Sequence, residues 1–193
     1  MRTLKLIEFL TLDGVMQGLG SPEEDRDGGF RHGGWAGPYA DEVQMSAAVE
    51  GLASTTAYLF GRRTYEHMAA FWPFQPDENP MAAHLNATPK YVASRTLTDL
   101  SWPGARVLEG ELGPAAHDLK EQGEGTIAVL GSGVLAQDLL ALDLVDGFGI
   151  FLHPLLLGTG KRLFRELAEP RPLRLAGCTP TTTGVLLLDY ELA

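Results

Sequence analysis

The chain contains 193 residues, with 15 lysines and arginines against 25 aspartates and glutamates, so its formal net charge at pH 7 is −10. This acidic balance argues against a nucleic acid or an anionic membrane as partner. A domain of this length buries about 70% of its unfolded surface and needs no disulfide or metal for stability. The single Cys178 cannot form an internal disulfide. We therefore expect one domain over residues 1–193, in a reducing compartment and by default the cytoplasm.

Short apolar runs alternate with helical periodicity along most of the chain. Runs rich in Val, Ile, Leu, Phe and Tyr predict strands at Thr3–Leu10, Ala57–Phe60, Lys90–Ser94, Arg106–Leu108, Thr126–Gly131, Val145–His153, Leu173–Gly177 and Val185–Glu191. Helices are predicted at Glu42–Leu52, Thr64–Phe71, Pro80–Leu85, Ala115–Gln122 and Val134–Ala141. This alternation favours an α/β fold with a mostly parallel sheet and helices on both faces. The last two strands leave no room for a helix between them, so we expect an antiparallel C-terminal hairpin.

The segment Gln17–Ala40 interrupts this pattern with seven glycines, several acids and four aromatic or imidazole side chains. A loop of this length inside a compact domain is usually either functional or disordered. Its aromatic residues favour a flap that covers a substrate. The alternative is a surface insertion in which Trp35 only packs against the domain.

Three of the predicted strands end in turns that contain Gly, Ser or Arg. The turns are Gly61-Arg62-Arg63-Thr64-Tyr65-Glu66, Ser94-Arg95-Thr96 and Gly131-Ser132-Gly133-Val134-Leu135-Ala136. A strand that turns into a helix in this way presents free backbone N–H groups and a positive helix end, which together attract anions. At the carboxyl ends of neighbouring strands, three such turns could hold one extended, multiply charged ligand. A phosphorylated dinucleotide is the obvious candidate.

Each turn alone has a simpler interpretation. Gly131-x-Gly133-x-x-Ala136 matches the Rossmann fingerprint, but no acid follows about 20 residues later to hold a ribose, so a Rossmann domain is disfavoured. What remains is either a pyrophosphate site or a tight turn that needs glycine. Arg62 and Arg63 at a helix start oppose the helix dipole unless an anion lies nearby, which favours a function for the first turn.

In combination, the three turns resemble those of the dihydrofolate reductase superfamily. The resemblance is greatest to its branch with the reductase (C-terminal) domain of the bacterial bifunctional riboflavin-biosynthesis deaminase-reductase, and it covers essentially the whole chain. Further motifs typical of that branch are Thr11-Leu12-Asp13-Gly14-Val15, Pro89-Lys90-Tyr91-Val92-Ala93-Ser94-Arg95-Thr96 and His153-Pro154-Leu155-Leu156-Leu157-Gly158-Thr159-Gly160-Lys161-Arg162-Leu163-Phe164.

The resemblance implies a central eight-stranded sheet that binds NADPH across its carboxyl edge. The cofactor-binding residues it implies are Gly61, Arg62 and Thr64 for the phosphates, Ser94 and Arg95 for the adenosine 2′-phosphate, and Gly131, Ser132, Gly133, Val134 and Leu135 for the pyrophosphate. Asp13 is the candidate catalytic residue, and Gly14, Trp35 and Met45 are the candidate substrate-binding residues. In the dihydrofolate reductases a cis peptide joins two glycines at this position. This chain has Gly131-Ser132 there, so the resemblance leaves open whether the peptide is cis or trans.

One departure from the pattern of that superfamily limits the chemistry. Dihydrofolate reductases carry a pterin-binding acid on the first helix, roughly 16 residues before the Gly-Arg turn by resemblance; this chain has Met45 there, beside Gln44, so folate reduction is not expected. Asp13 could orient substrate or donate a proton through water, or it could be the acid of an Asp-Gly turn. The five histidines show no metal-ligand spacing, so no metal site is predicted.

We therefore expect an NADPH-dependent reductase that transfers a hydride to a small heterocyclic or carbonyl substrate beneath the Gln17–Ala40 loop. A 5-amino-6-(5-phosphoribosylamino)uracil reductase is the best-defined version of this hypothesis, and a paralogue with another substrate is an equal one. The alternative is a non-catalytic nucleotide-binding or interaction protein that keeps the cofactor cradle. By analogy with related reductase domains we expect a homodimer.

Overall fold

A computed structural model describes residues 1–167 and 169–193. Its strands are β1 (Thr3–Thr11), β2 (Thr55–Gly61), β3 (Lys90–Ala93), β4 (Ala105–Val107), β5 (Thr126–Leu130), β6 (Gly147–His153), β7 (Leu173–Pro180) and β8 (Leu186–Leu192). Its helices are α1 (Glu42–Leu52), α2 (Arg62–Ala69), α3 (Pro80–Ala87), α4 (Leu112–Glu121) and α5 (Gly133–Ala141), with short 3₁₀ turns at Asp27–Gly29, Gly37–Tyr39 and Trp72–Phe74. Among the described residues, every helix is too short or too polar to span a lipid bilayer.

The strands form one eight-stranded sheet in the order β4-β3-β2-β5-β1-β6-β8-β7. Neighbours from β4 to β6 are parallel, whereas β8 runs antiparallel to both β6 and β7. The predicted mostly parallel sheet with an antiparallel C-terminal hairpin is therefore confirmed.

Strand β1 lies near the middle of the sheet and shows how the two faces are filled. Leu4, Leu6 and Leu10 point to one face and pack in a core with residues of α4 and α5. Ile7, which alternation places on the other face, packs against a second core around Tyr58 from β2. Helices cover both faces, as the alternation of strands and helices predicted.

Several element boundaries differ from the predictions. Helix α2 begins at Arg62 instead of Thr64, because Gly61 is the last extended residue, with φ −77° and ψ 160°. Helix α4 begins three residues earlier than predicted and includes Pro114 in its first turn, where the missing N–H of proline costs no helical hydrogen bond. Gly131 was predicted to end β5 but lies outside it, because its φ of 64° is incompatible with a strand.

The parallel strands end at one edge of the sheet. Their last residues there are Thr11, Gly61, Ala93, Val107, Leu130 and His153. Because β3, β2 and β5 are adjacent in the sheet, the three turns predicted to bind an anion lie side by side at this edge.

Candidate active site

A long groove follows this edge of the sheet and continues beneath helix α1. The corners Gly61–Thr64, Ser94–Thr96 and Gly131–Leu135 all line it. The predicted convergence of these three corners is therefore present in the geometry. We call this part of the groove the cradle.

A single hydroxyl joins two of the corners. The Ser132 Oγ accepts a hydrogen bond from the Gly61 N–H at 2.7 Å and donates one to Thr64 Oγ1 at 2.7 Å. A Cβ added at Gly61 would lie 2.9 Å from this oxygen, so only glycine allows the two corners to come this close. The Gly131–Ser132 peptide is trans, and Ser132 itself adopts a left-handed conformation with φ 68° and ψ 62°. Such a conformation is unusual for a residue with a side chain.

The helices that start at these corners have no side-chain caps. Neither Gly61 before α2 nor Ser132 before α5 gives a side-chain hydrogen bond to its own helix. The N–H groups in the first turns of α2 and α5 are therefore available as donors to another acceptor. Together with the positive helix ends they form a surface suited to phosphate oxygens.

The arginines of the first corner already have partners. Arg62 forms an ion pair with Glu66 at 3.0 Å, one helical turn later. Arg63 reaches Asp27 of the long loop at 2.7 Å. The anions that offset two arginines at a helix start are therefore carboxylates of the protein itself. These two arginines alone do not indicate a bound ligand. Both guanidinium groups stay partly exposed at the groove, with 43% and 66% of their side-chain surfaces accessible.

Arg95 is different. Ser94 Oγ accepts hydrogen bonds from the backbone N–H groups of Thr96 and Leu97, at 3.2 and 3.0 Å, which turns the chain sharply after β3. This places Arg95 exposed at the tip of the turn and on the groove. In the part of the chain that the structure describes, Arg95 forms no salt bridge.

The Gln17–Ala40 loop is held by internal hydrogen bonds. The buried Gln17 amide donates to the Asp27 carbonyl at 3.0 Å and accepts from the Lys161 N–H at 3.0 Å. The Trp35 indole donates to the Gln17 carbonyl at 2.8 Å, and only 6% of Trp35 is exposed. Trp35 was predicted to bind substrate, but it packs against Val15 and Phe30 and does not line the groove. The position of Trp35 matches the alternative interpretation, in which this side chain only packs against the domain.

Acids of this loop neutralise cations at the mouth of the groove. Lys161 contacts Asp25 at 2.7 Å and Asp27 at 2.8 Å, and Asp27 also contacts Arg63. Hydrogen bonds from Lys161 and Arg63 lower the pKa of Asp27 to about 2. Lys161 thereby ties the loop to the segment after β6.

Asp13 also has an internal role. Its carboxylate accepts hydrogen bonds from the Thr11 hydroxyl at 2.6 Å and from the N–H groups of Gly158 and Leu157 at 2.8 and 3.2 Å. These bonds, that from Thr11 foremost, lower the pKa of Asp13 to about 2. A carboxylate that is ionised at neutral pH cannot donate a proton, and neither Asp13 nor Gly14 lines the groove. The geometry favours the Asp-Gly turn interpretation, with Gly14 at φ 80°.

Beneath α1 the groove becomes an apolar cleft, which we call the α1 cleft. Its sheet side consists of Lys5, Ile7, Phe9, Gly149, Phe151, Leu187 and Asp189, and its helix side of Asp41, Gln44, Met45, Ala48 and Glu50. No residue of α1 is buried, and Met45 is 62% exposed. The helix nevertheless has a fixed start, because Asp41 caps it and also accepts a hydrogen bond from the Thr182 N–H at 2.8 Å. Helix α1 therefore roofs the cleft without filling it.

Sequence reasoning missed one buried acid in the sheet. Glu8 on β1 is 2% exposed, and its Oε1 has no hydrogen-bond partner in the part of the chain that the structure describes. Burial raises the pKa of Glu8 to about 8. The sequence signal for Glu8 was its place on the same face of β1 as the apolar residues Leu4, Leu6 and Leu10. A second buried polar group is His153 at the end of β6. Its Nδ1 lies 3.0 Å from the Phe151 carbonyl, but its buried Nε2 has no hydrogen-bond partner among the described residues.

Comparison with known proteins places this geometry in a family. Residues 2–187 match the RibD C-terminal domain family. Two Bacillus subtilis (strain 168) proteins, both named as uncharacterized, are similar in sequence. YwjB is 29% identical over 119 residues, which is 62% of this chain and 64% of YwjB. YyaP is 26% identical over 136 residues, or 69% of this chain and 72% of YyaP. The match thus spans slightly less than two thirds of YwjB.

Solved structures show the same fold. A proposed riboflavin biosynthesis protein from Shewanella sp. PV-4 has a TM-score of 0.72 at 20% identity and covers 99% of both chains. A pyrimidine reductase-like protein from Corynebacterium diphtheriae has a TM-score of 0.63 at 12% identity, over 100% of this chain and 92% of the other. Enterococcus faecalis dihydrofolate reductase, in complex with NADP(H), has a TM-score of 0.59 at 17% identity, over 98% and 94%. The fold is that of the dihydrofolate reductases, and by its match over nearly the whole sequence the chain belongs to the RibD C-terminal domain family.

Proposed function

We propose that this protein is an NADPH-dependent reductase that transfers a hydride to a small heterocyclic or carbonyl substrate in the α1 cleft. The observation that carries the proposal is the convergence of three β–α corners on one groove, with uncapped helix starts and an exposed arginine. Membership of the RibD C-terminal domain family and the fold shared with NADP(H)-bound dihydrofolate reductase support a reductase with a nicotinamide cofactor.

The residues of the cradle fit a phosphorylated dinucleotide. The N–H groups of Gly133, Val134 and Leu135 at the start of α5 would hold the pyrophosphate, since no side chain caps them. Thr64 and Arg62 flank the same position from α2. Arg95, which has no acidic partner among the described residues, would bind the 2′-phosphate beside the Ser94 turn.

When bound, the reduced nicotinamide supplies a hydride, that is two electrons and one proton, to an electrophilic carbon of the substrate. The neighbouring oxygen or nitrogen of the substrate must then gain one proton. Asp13 is not suited to supply that proton, because its pKa lies at about 2. We assign the donation to water that enters the partly open cleft. The protein's own contribution is to orient the two reactants and to limit solvent access from the helix side.

Arg95→Ala tests the cofactor assignment. A charge-assisted contact to phosphate contributes about 1.5–3 kcal/mol, so the variant should bind NADPH about tenfold to a hundredfold more weakly. NADH, which lacks the 2′-phosphate, should bind almost as before. Isothermal titration calorimetry or fluorescence of the reduced nicotinamide gives both dissociation constants.

Arg106→Ala is the matched control, because Arg106 is exposed on β4 and does not line the groove. Equal losses for NADPH and NADH in Arg95→Ala would remove Arg95 from the 2′-phosphate site. No NADPH binding by the wild-type protein would refute the proposed function. Tight NADPH binding without oxidation, across a panel of pyrimidines, pterins and carbonyl compounds, would favour the non-catalytic alternative.

A further inference from the structure

The sheet is covered unevenly on the face that holds Leu4. Helices α4 and α5 pack on this face over β1, β2 and β5. Exposure then rises toward the edge of the sheet: Phe148 and Ile150 of β6 are 3% and 7% exposed, whereas Leu173 and Leu175 of β7 are 41% and 50% exposed. Strand β8 lies between β6 and β7. The C-terminal hairpin therefore carries an apolar surface that α4 and α5 do not bury.

The strand register places the apolar side chains of this hairpin on one face. Leu175 of β7 lies directly opposite Tyr190 of β8, and direct neighbours in an antiparallel pair have their side chains on the same face. Alternation adds every second residue of each strand, with one shift at the bulge between Leu175 and Gly177. We call this surface the hairpin face, and its residues are Leu173, Leu175, Cys178, Leu186, Leu188, Tyr190 and Leu192. None of these side chains carries a charge.

The charged side chains of the same strands lie on the opposite face, where they form ion pairs. Arg174 of β7 contacts Glu191 of β8, and Asp189 of β8 contacts Lys5 at 2.6 Å. Two copies of a chain with a net charge of −10 repel each other at long range. A contact through the hairpin face brings none of these acids together, because the sheet itself separates them from the contact.

The edge of the hairpin is unsuited to pairing with a further strand. Strand β7 is the edge strand, and an exposed edge can bind another chain through its backbone N–H and C=O groups. Here Pro172 directly precedes β7, Pro180 is its last residue, and the bulge interrupts its middle. Prolines and bulges both prevent continuous strand pairing. The face of the hairpin, rather than its edge, is therefore available for association.

From these features we infer that two copies of this chain form a dimer in which one hairpin face packs on the other, sheet against sheet. The hairpin face and its border with β6 measure roughly 14 by 24 Å. Phe164, which is 48% exposed beside Phe148, extends the apolar surface at this border. With a surrounding rim, two such faces bury on the order of 1,000 Å² in total, about the minimum for a specific interface.

The second copy is the occupant that this surface fits best. A twofold contact uses the same patch on both chains, and an uncharged apolar face is complementary to itself. The expectation of a homodimer from related domains names no surface, whereas these observations name one. The inference goes beyond the proposed function, since it concerns neither the cradle nor the cofactor.

Sedimentation velocity of the full chain tests the dimer. At micromolar concentration the wild-type protein should sediment with twice the mass of one chain. Leu175→Glu places a charge in the hairpin face and should raise the dissociation constant of the dimer at least about a hundredfold. The variant should fold, because Leu175 is already half exposed in the single chain. Circular dichroism checks this, and Leu173→Glu is the second variant if Leu175→Glu does not fold.

Leu12→Glu is the matched control. It makes the same exchange at a residue that is 61% exposed in the turn after β1, outside the hairpin face. This variant should remain a dimer. Both variants should bind NADPH as the wild type does, so a failure of the dimer and a failure of the proposed function give different results.

Cys178 gives an independent measurement on the same surface. Its thiol is exposed in the single chain, so a dimer through the hairpin face must shield it. At micromolar protein, a maleimide should modify the wild type at least about tenfold more slowly than Leu175→Glu, and Leu12→Glu should react as slowly as the wild type. A monomeric wild type, a dimeric Leu175→Glu, a monomeric Leu12→Glu, or equal thiol reactivity in wild type and Leu175→Glu would each overturn the inference.

Discussion

The two halves of the groove differ in what they leave unsatisfied. The cradle is built from tightly joined corners, with Ser132 bridging Gly61 and Thr64, and it leaves polar donors open. The α1 cleft is loosely built, with a helix that buries none of its residues, and it leaves apolar surface open. The cradle is therefore preformed for a charged ligand of fixed geometry. The shape of the α1 cleft is set by the surface that α1 leaves uncovered.

The largest expected effect concerns Glu8, a buried acid of β1 beside the groove. Its pKa is raised to about 8 by burial, whereas the unfolded chain loses the proton near 4.5. The native state thus binds more protons between these values, so the stability contribution of Glu8 decreases as pH rises from 4.5 to 8. Glu8→Gln should be more stable than wild type by up to about 3 kcal/mol at pH 7 and no more stable below pH 4.5.

Urea unfolding of both proteins from pH 4 to 8.5 measures this difference, and the comparison removes the effect of the general net charge. A stability difference that does not change with pH would show that Glu8 is not protonated in the native state. The ligand-free protein is the right sample, because a bound ligand that donates to Oε1 would mask the effect.

Gly61→Ala tests whether the cradle is as rigid as its contacts indicate. The new Cβ would lie 2.9 Å from Ser132 Oγ and 3.0 Å from Ser132 Cβ, so the two corners must separate. We expect a loss of about 1–3 kcal/mol in unfolding free energy, together with weaker NADPH binding. Thermal or chemical denaturation measures the first and calorimetry the second.

Gly113→Ala is the corresponding control. Gly113 lies in α4, and a Cβ there meets Leu142 at 3.7 Å, an ordinary contact. Alanine should stabilise this helical position by about 0.5–1 kcal/mol. Normal NADPH binding by Gly61→Ala would show that the cradle adapts to its ligand and would break the distinction between the two halves.

Asp13→Asn should have the smallest effect. The change removes a carboxylate that organises the Thr11–Gly158 contact, and we expect a loss of about 1 kcal/mol. Because the folded pKa of Asp13 is lowered to about 2, its contribution is present above the unfolded pKa near 3.8 and is lost as pH falls toward 2. Turnover of the folded variant should stay close to wild type once a substrate is found. A large fall in kcat with unchanged stability would restore Asp13 as a catalytic residue.

The fold was largely predictable because local signals agree along the chain. Apolar runs, glycine-containing turns and helical periodicity each predicted the correct element, and their alternation predicted the parallel sheet. The positions of the three corners were also predictable, since parallel strands end at one edge. The partners of Arg62, Arg63 and Lys161 were not predictable, because they depend on where the Gln17–Ala40 loop folds back.

The α1 cleft was predicted only in part. Periodicity predicted the helix Glu42–Leu52; its residues Met45, Ala48, Val49 and Leu52 share one apolar face, and such a face normally packs on the sheet. In the structure none of these residues is buried, so the expected packing does not occur. Sequence patterns report which surface is apolar, but not whether protein or ligand covers it. The Gln44 oxygen that lacks a hydrogen-bond partner among the described residues is visible only in three dimensions.

The Ser132 bridge has a consequence for how this protein can change. One hydroxyl fixes two corners that lie 71 residues apart in the chain, and its space exists only because position 61 lacks a side chain. The Gly61 turn and the Ser132 turn therefore form one mutational unit. Exchanging either turn alone between related scaffolds should fail, whereas moving both together should succeed.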